Sequence, residues 1–151
     1  MYNSNVSSII SGAAAYSLVS ALLSACGALA FMGLGVMTTL VPAAVNSAEL
    51  TAEQQNAVTA VSALGSLLPL FGVLFALVAV LLVVDAFGLF QRKSWAWMLT
   101  IVIHASSAVL SVLSWAGSNF SFLSAATTLI SAMIVYIFLT NAEVKHALGK
   151  G

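Results

Sequence analysis

Residues 63–90 read ALGSLLPLFGVLFALVAVLLVVDAFGLF, and Asp85 is the one charged residue in this stretch. A helix needs about 20 consecutive apolar residues to cross a hydrocarbon layer about 30 Å thick, and this stretch is longer than that. The strands of a membrane barrel alternate apolar and polar residues over short segments, which this stretch does not do. It is therefore predicted to form a membrane-spanning helix.

Three further stretches of the chain have the same character. The four predicted spans cover about 13–41, 63–90, 95–115 and 120–139, with an outer loop at 42–62 and a tail at 140–151. Thr51 and Gln54 fit a capping box, so a helix is predicted to begin at Ala52 and to run on into the second span. Pro69 is expected to kink that helix. The predicted fold is all-α, a single transmembrane domain that forms an antiparallel four-helix bundle.

The composition excludes most other classes of protein. Hydrophobic residues make up 62% of the chain and charged residues 5%, whereas a soluble domain carries about a quarter charged residues. A soluble enzyme, a disordered chain and a nucleic-acid binder with its basic surface are therefore excluded. Cys26 is the one cysteine, which excludes a disulfide scaffold. No phosphate-binding loop, Gly-x-Ser-x-Gly elbow or Cys/His cluster is present, so neither catalytic residues nor a metal site are predicted.

The distribution of basic residues predicts the orientation of the chain. The four basic residues lie in the second loop and in the tail: Arg92, Lys93, Lys145 and Lys150. In a protein with four spans these two places face the same side of the membrane. By the positive-inside rule, both termini and the Arg92–Lys93 turn are predicted to be cytoplasmic, with Glu49 and Glu53 outside a cell membrane.

Small and weakly polar residues recur about every 3.5 positions along each predicted helix. Such residues let helices approach closely in lipid, and this spacing implies left-handed packing with crossing angles near +20°. The predicted packing residues are Ser17, Ser20, Ser24 and Gly27 in the first span, Gly65 and Gly72 in the second, Ser107, Ser111 and Ser114 in the third, and Ser124, Thr128 and Ser131 in the fourth. Across the tight turn between the last two spans, Ser114 is expected near Ser124, Ser111 near Thr128, and Ser107 near Ser131. The alternative is chance, because Ala, Ser and Gly are frequent throughout the chain.

Asp85 is the one acidic residue inside a span, and an ionisable residue in the membrane is a candidate functional residue. Arg92 follows about two helical turns later, or about 10 Å along the same face. One interpretation is an ion pair in which Arg92 or Lys93 folds back to Asp85 near the membrane surface. The other is a site that handles protons or ions.

His104 lies near the middle of the third span, on the same face as Ser107 and Ser111. A neutral imidazole there is able to hydrogen-bond to a neighbouring helix. It is equally suited to be an axial ligand of a haem iron or a chlorophyll magnesium, so a tetrapyrrole is the cofactor that His104 would bind. A third interpretation is a pair with Asp85, since antiparallel neighbours place the two residues within about one turn in depth.

The turn GLFQRKSWAW at 88–97 resembles a turn found in small uncharacterised prokaryotic four-helix membrane proteins. The tail NAEVKHALG at 141–149 is similar to the tail that some of them carry after the last helix, and it is expected to form a short amphipathic helical segment at the inner membrane surface. The resemblance implies the four-span layout and no known activity.

Three functions remain open on the sequence. The favoured one is a non-catalytic accessory subunit that packs against a larger membrane complex or against a second copy, through small residues on the first span such as Gly12, Gly27 and Gly35. The second is an oligomeric small transporter or channel that uses Asp85 and the Ser/Thr positions. The third is a cofactor-bearing subunit of an electron-transfer or light-harvesting assembly through His104. In each case the lipid bilayer is the surrounding partner, and no nucleic acid is expected.

Overall fold

A computed structural model describes residues 4–45, 51–116 and 121–150 of the protein. These residues form α1 (Ser4–Val45), α2 (Ala52–Phe90), α3 (Ser94–Ala116), α4 (Phe122–Thr140) and α5 (Ala142–Ala147), with no strand among them. The first four helices are long and apolar enough to cross a membrane. The prediction of an all-α chain with four candidate spans is thus confirmed. Glu49 in the predicted outer loop and residues 117–119 between the predicted third and fourth spans lie outside the described residues.

Large apolar side chains cover the exposed surfaces of the four long helices. Examples from each are Leu29 at 72% exposure, Phe87 at 65%, Leu110 at 65% and Leu129 at 70%. Soluble proteins rarely expose continuous apolar surface on this scale, because water disfavours it. The exposed surfaces of the helices therefore fit contact with a lipid bilayer.

The helix α1 begins earlier than the predicted first span. The Ser- and Asn-rich segment before Ala13 is helical from Ser4 onward, and within it Val6 and Ile10 are buried at 2% and 3% exposure. Val6, Ile10, Ala13 and Ser17 follow one another at intervals of three or four residues, which is one face of a helix. The polar composition of the segment concealed this apolar periodicity.

The predicted start of α2 is confirmed. The backbone nitrogen of Thr51 donates to Gln54 Oε1 at 3.0 Å, and the backbone nitrogen of Gln54 donates to Thr51 Oγ1 at 3.4 Å. These reciprocal bonds form the predicted capping box and satisfy amide groups that would otherwise lack partners at the helix start. The helix begins at Ala52 and includes Pro69 in its interior.

The chain divides into two compact units. Residues 19–81, the helix-pair unit, contain the C-terminal part of α1 and the N-terminal part of α2. Their contact depends on glycines: a Cβ atom added to Gly35 would lie 2.7 Å from Pro69 Cγ, and one added to Gly72 would lie 3.1 Å from the Ala28 carbonyl oxygen. Because these atoms leave no room for a side chain, the two helices approach closely, as small residues allow in lipid.

The core unit consists of residues 1–18 and 82–151. Here α3 and α4 pack antiparallel: Trp97 Nε1 donates to the Phe138 carbonyl oxygen, and Trp115 Nε1 donates to Ser124 Oγ, each at 2.9 Å. The amphipathic tail segment forms α5, and Asn141 caps its start: Oδ1 of Asn141 accepts from the backbone nitrogens of Glu143 and Val144. Val144 of α5 and Leu148 at its end belong to the apolar core of this unit, together with Val6, Ile10, Leu89 and Phe138.

A tight turn joins α2 to α3 in the core unit. The backbone nitrogen of Lys93 donates to the Gly88 carbonyl oxygen at 2.9 Å, and that of Arg92 donates to the Leu89 carbonyl oxygen at 3.0 Å. This is the Schellman pattern of helix termination, with Arg92 in the left-handed region at φ 54°. A Cβ atom on Gly88 would collide with the Trp95 ring, so the absence of a side chain at Gly88 makes room for this ring beside the turn.

Candidate functional site

Four polar side chains from three helices are buried together in the core unit. Asp85 on α2, Ser17 on α1 and Thr100 on α3 are each 0% exposed, and His104 on α3 is 2% exposed. Asp85 and Thr100 are nearly equally distant from the α2–α3 turn, so the tight hairpin places them opposite each other. We call these four residues the Asp85 cluster.

The two oxygens of the Asp85 carboxyl group have hydroxyl partners on different helices. Ser17 Oγ donates to Asp85 Oδ2 at 2.8 Å. Thr100 Oγ1 lies 2.6 Å from Asp85 Oδ1 and also 2.8 Å from the Ala96 carbonyl oxygen of its own helix. The carboxyl group therefore joins α1, α2 and α3 at one point.

His104 reaches the carboxyl group through Ser17. Its Nε2 atom lies 3.5 Å from Ser17 Oγ, which is long for a hydrogen bond. The imidazole also packs against Tyr16, with ring centroids 5.6 Å apart. The Tyr16 hydroxyl donates to the Thr127 carbonyl oxygen at 3.4 Å. The structure thus brings Asp85 and His104 into one site, with Ser17 between them rather than in direct contact.

An apolar groove of about 240 Å³ lies beside Tyr16 in the core unit. Helices α1 and α4 form its walls, with the lining residues Ser8, Ile9, Gly12, Ala13, Tyr16, Ile130, Met133, Ile134, Ile137 and Phe138. Tyr16 lines this groove and also contacts His104. Its ring therefore lies between the groove and the imidazole.

The cluster extends from the turn side toward the middle of α3. Thr100 lies about 9 Å along α3 from Ser94, and His104 lies about 15 Å along, at 1.5 Å per residue. A hydrocarbon layer is about 30 Å thick, so His104 is near half of that depth from the start of the helix. The four side chains therefore form a polar path that begins at Asp85 and Thr100, about two helical turns from the α2–α3 turn, and ends at His104.

The arrangement suits hydrogen bonding and proton exchange better than metal or cofactor binding. Within the described part of the chain, no three His, Cys, Asp or Glu side chains are grouped as metal ligands would be. Nε2 of His104 is directed at Ser17, so a tetrapyrrole metal at this nitrogen would have to displace Ser17 from the cluster.

For Asp85, the observed contacts are the hydroxyls of Ser17 and Thr100. Arg92, the residue considered as its ion-pair partner, donates from Nη2 to Ser7 Oγ at 3.3 Å. The role of Ser17 at this carboxyl group did not emerge from the sequence, where Ser17 was assigned to helix packing. No local signal distinguishes it from Ser20 or Ser24, because its contact with Asp85 depends on how distant segments align.

The predicted packing residues fall into three groups. Gly65 and Gly72 are buried in the helix-pair unit, and a Cβ atom on Gly65 would collide with the side chain of Thr38. On α4, Thr128 and Ser131 are buried at 8% and 2% exposure. The remaining positions on α3 and α4 are less enclosed: Ser111 and Ser124 are half-buried, and Ser107 and Ser114 are exposed.

The exposure of Ser107 and Ser114 has a geometric cause. The less exposed face of α3 follows Ala96, Thr100, His104, Ala108, Ser111 and Trp115. A straight helix has 3.6 residues per turn, so a register that repeats every 3.5 residues drifts away from any fixed face. The prediction assumed a repeat of 3.5 residues, and it therefore placed Ser107 and Ser114 on the buried face of α3. At the end of α3, Trp115 contacts Ser124, and it lies one position beyond Ser114.

Comparisons of the chain with family models, with curated proteins and with solved structures gave no match.

Proposed function

We propose that the protein is a small multi-pass membrane protein that handles protons or small cations at the Asp85 cluster, as a channel or transporter. The observation that carries the proposal is the complete burial of Asp85 together with its bonds to hydroxyl groups on two other helices. Ionisable residues are costly inside a membrane and are commonly found on ion and proton pathways. His104, at the end of the same polar path, is a second group able to accept and release a proton.

Helix packing alone gives a weaker explanation of the cluster. In the helix-pair unit, α1 and α2 approach each other through Gly35, Gly65 and Gly72, and that approach uses small residues. Interhelical hydrogen bonds in membranes contribute only about 0.6 kcal/mol each on average. A buried carboxyl group is therefore a costly means of joining helices that small residues join elsewhere in the same chain.

We further propose a four-helix bundle in the cell membrane with both termini in the cytoplasm. Lys150 Nζ lies 5.9 Å from the centre of the Trp97 ring, so the basic tail is at the same end of the core unit as the α2–α3 turn. Arg92 in the turn and Lys150 in the tail therefore lie at one end of the core unit, and basic residues at one end are what the positive-inside rule associates with the cytoplasmic side.

The accessory-subunit role predicted from the sequence has less support from the contacts. Gly27 and Gly35 were expected to face an outside partner, but Cβ atoms added to them would meet Phe75 and Pro69 of the same chain. These two glycines therefore allow close packing inside the helix-pair unit. Gly12 has open space at its Cβ position, and it lies in the apolar groove.

Ion movement through the purified protein tests the proposal. The protein is reconstituted into liposomes that contain a pH-sensitive dye, and a pH gradient or a sodium gradient is imposed. We expect flux above that of empty liposomes, and we expect Asp85→Asn to reduce it to the empty-liposome level. Ser131→Ala is the matched control, because Ser131 is a buried hydroxyl on α4 outside the cluster. Wild-type flux equal to that of empty liposomes for both ions would overturn the proposal.

A further inference from the structure

We infer that the ion held at the Asp85 cluster is a proton, and that Asp85 carries it as a neutral carboxylic acid that donates to Thr100. The inference rests on the proposed function for the role of this proton. The protonation state itself is inferred from hydrogen-bond distances alone and is measurable without any transport assay.

The support for a protonated Asp85 comes from the number of protons that are available at Thr100. Thr100 Oγ1 has two close oxygen neighbours, Asp85 Oδ1 at 2.6 Å and the Ala96 carbonyl oxygen at 2.8 Å. A hydroxyl group has one proton to donate. If Asp85 were ionised, both neighbours would be acceptors, and one of the two short contacts would have no proton in it. If Asp85 is protonated on Oδ1, it donates to Thr100, and Thr100 donates to Ala96.

The remaining contacts complete the same pattern. Ser17 donates to Asp85 Oδ2 at 2.8 Å, which is the carbonyl oxygen of the neutral acid. Ser17 Oγ is then free to accept from His104 Nε2, at the longer distance of 3.5 Å. Each hydroxyl in the chain from His104 to Ala96 donates one hydrogen bond and accepts one. The chain ends at the Ala96 carbonyl oxygen, which only accepts, and this fixed end directs the Thr100 proton to Ala96 and leaves Thr100 Oγ1 as the acceptor for the Asp85 proton.

The spacing of the oxygens favours a proton over a metal cation. The 2.6 Å and 2.8 Å separations around the carboxyl group are those of direct O–H···O hydrogen bonds. A cation bound between these oxygens would have to push them apart, since oxygen ligands surround an ion at distances above 2 Å on each side. The titratable groups that face the cluster are His104 and, behind it, Tyr16.

Infrared spectroscopy with selective labelling tests the inference. Asp85 is the one aspartate in the chain, so aspartate labelled with carbon-13 at the side-chain carboxyl reports on a single site. In the full-length protein in lipid at neutral pH, we expect an isotope-sensitive band of a protonated carboxyl group, and we expect its loss in Asp85→Asn. An isotope-sensitive band of an ionised carboxylate, without the protonated band, would overturn the inference.

Two pairs of variants test the direction of the hydrogen bonds. Thr100→Val removes the acceptor of the Asp85 proton, and Ser17→Ala removes the donor to Oδ2, so each is expected to shift the carboxyl band to higher frequency. The matched controls Thr128→Val and Ser131→Ala remove buried hydroxyls on α4 and are expected to leave the band in place. A band that Thr100→Val does not move would overturn the assignment of Thr100 as acceptor.

The two proposals fail in different ways. A protonated Asp85 in a protein without ion flux leaves the inference intact and overturns the proposed function. Ion flux that depends on Asp85, together with an ionised carboxylate at neutral pH, overturns the inference and leaves the proposed function intact.

Discussion

In the helix-pair unit, α1 and α2 meet through glycines that lie against Pro69, Thr38 and Met32, with the rings of Phe31 and Phe75 stacked nearby at 5.4 Å. In the core unit, other segments of α1 and α2 meet α3 at a carboxyl group, two hydroxyls and an imidazole. The same two helices are thus joined by close packing at glycines in one unit and by hydrogen bonds in the other.

The difference indicates what each contact depends on. A glycine contact depends on space, so adding atoms disrupts it and the chemistry of those atoms matters little. A buried hydrogen-bonded cluster depends on the match of donors and acceptors, so a change of chemistry at constant shape is the sensitive test. Substitutions designed for one kind of contact should therefore have little effect when applied to the other.

The largest loss of stability is expected where a substitution adds a side chain to a glycine that packs against the other helix. Gly35→Ala places a Cβ atom 2.7 Å from Cγ and 2.8 Å from Cδ of Pro69, whose ring cannot rotate away. Overpacking of this kind costs about 1–3 kcal/mol. We expect Gly35→Ala to lower the free energy of unfolding by an amount in this range, measured by denaturation with sodium dodecyl sulfate in mixed micelles.

Gly33 provides the matched control on the same helix. It has no atom within 4 Å of its Cβ position. Alanine is the better helix former by about 1 kcal/mol, so Gly33→Ala is expected to maintain or raise the stability of the protein. Equal losses of stability at Gly33 and Gly35 would show that the packing contact with Pro69 is not what makes Gly35→Ala costly.

The second prediction compares two substitutions of Asp85, one that keeps the shape of the side chain and one that removes it. An asparagine amide has a donor and an acceptor where a neutral carboxylic acid has them. We expect Asp85→Asn to unfold at nearly the wild-type denaturant concentration, whereas Asp85→Ala leaves Ser17 without its acceptor and costs about 1–2 kcal/mol. A loss in Asp85→Asn as large as that in Asp85→Ala would contradict a protonated Asp85. The measurement is the same denaturation series, with helicity followed by circular dichroism.

The sequence predicted the helices well because the signals for spans and helix starts are local. The length of the apolar run around Asp85 indicates a span by itself, and Thr51 and Gln54 lie within one helical turn of each other. The early start of α1 at Ser4 was missed because apolar periodicity in that segment is carried by few residues, Val6 and Ile10 among them. The polar composition of that segment argued against a helical span, whereas its apolar periodicity indicated a helix, and the structure has a helix there.

The site was only partly predictable, because its members come from distant parts of the chain. Asp85 and His104 stood out as the ionisable residues within spans, a property of each residue alone. Their connection through Ser17 requires the alignment of α1 with the α2–α3 hairpin, and no spacing along the chain encodes that alignment. The serines of α3 show the same limit, since an assumed repeat of 3.5 residues per turn instead of 3.6 placed Ser107 and Ser114 on a buried face.

The smallest effect compares two buried serines. Ser17→Ala removes the hydrogen bond to Asp85 and the longer contact with His104, and it is expected to cost about 0.6 kcal/mol, the average for an interhelical hydrogen bond in membranes. Ser131→Ala removes a hydroxyl of similar burial that lies outside the Asp85 cluster, so stability alone distinguishes the two variants poorly. Their difference should lie in ion flux, because Ser17 connects His104 with Asp85 and Ser131 does not. We expect Ser17→Ala to reduce flux in liposomes and Ser131→Ala to retain it. Equal flux in both variants would show that His104 and Asp85 act separately, and the hydroxyl of Ser17 would then serve only to hold α1 against α2.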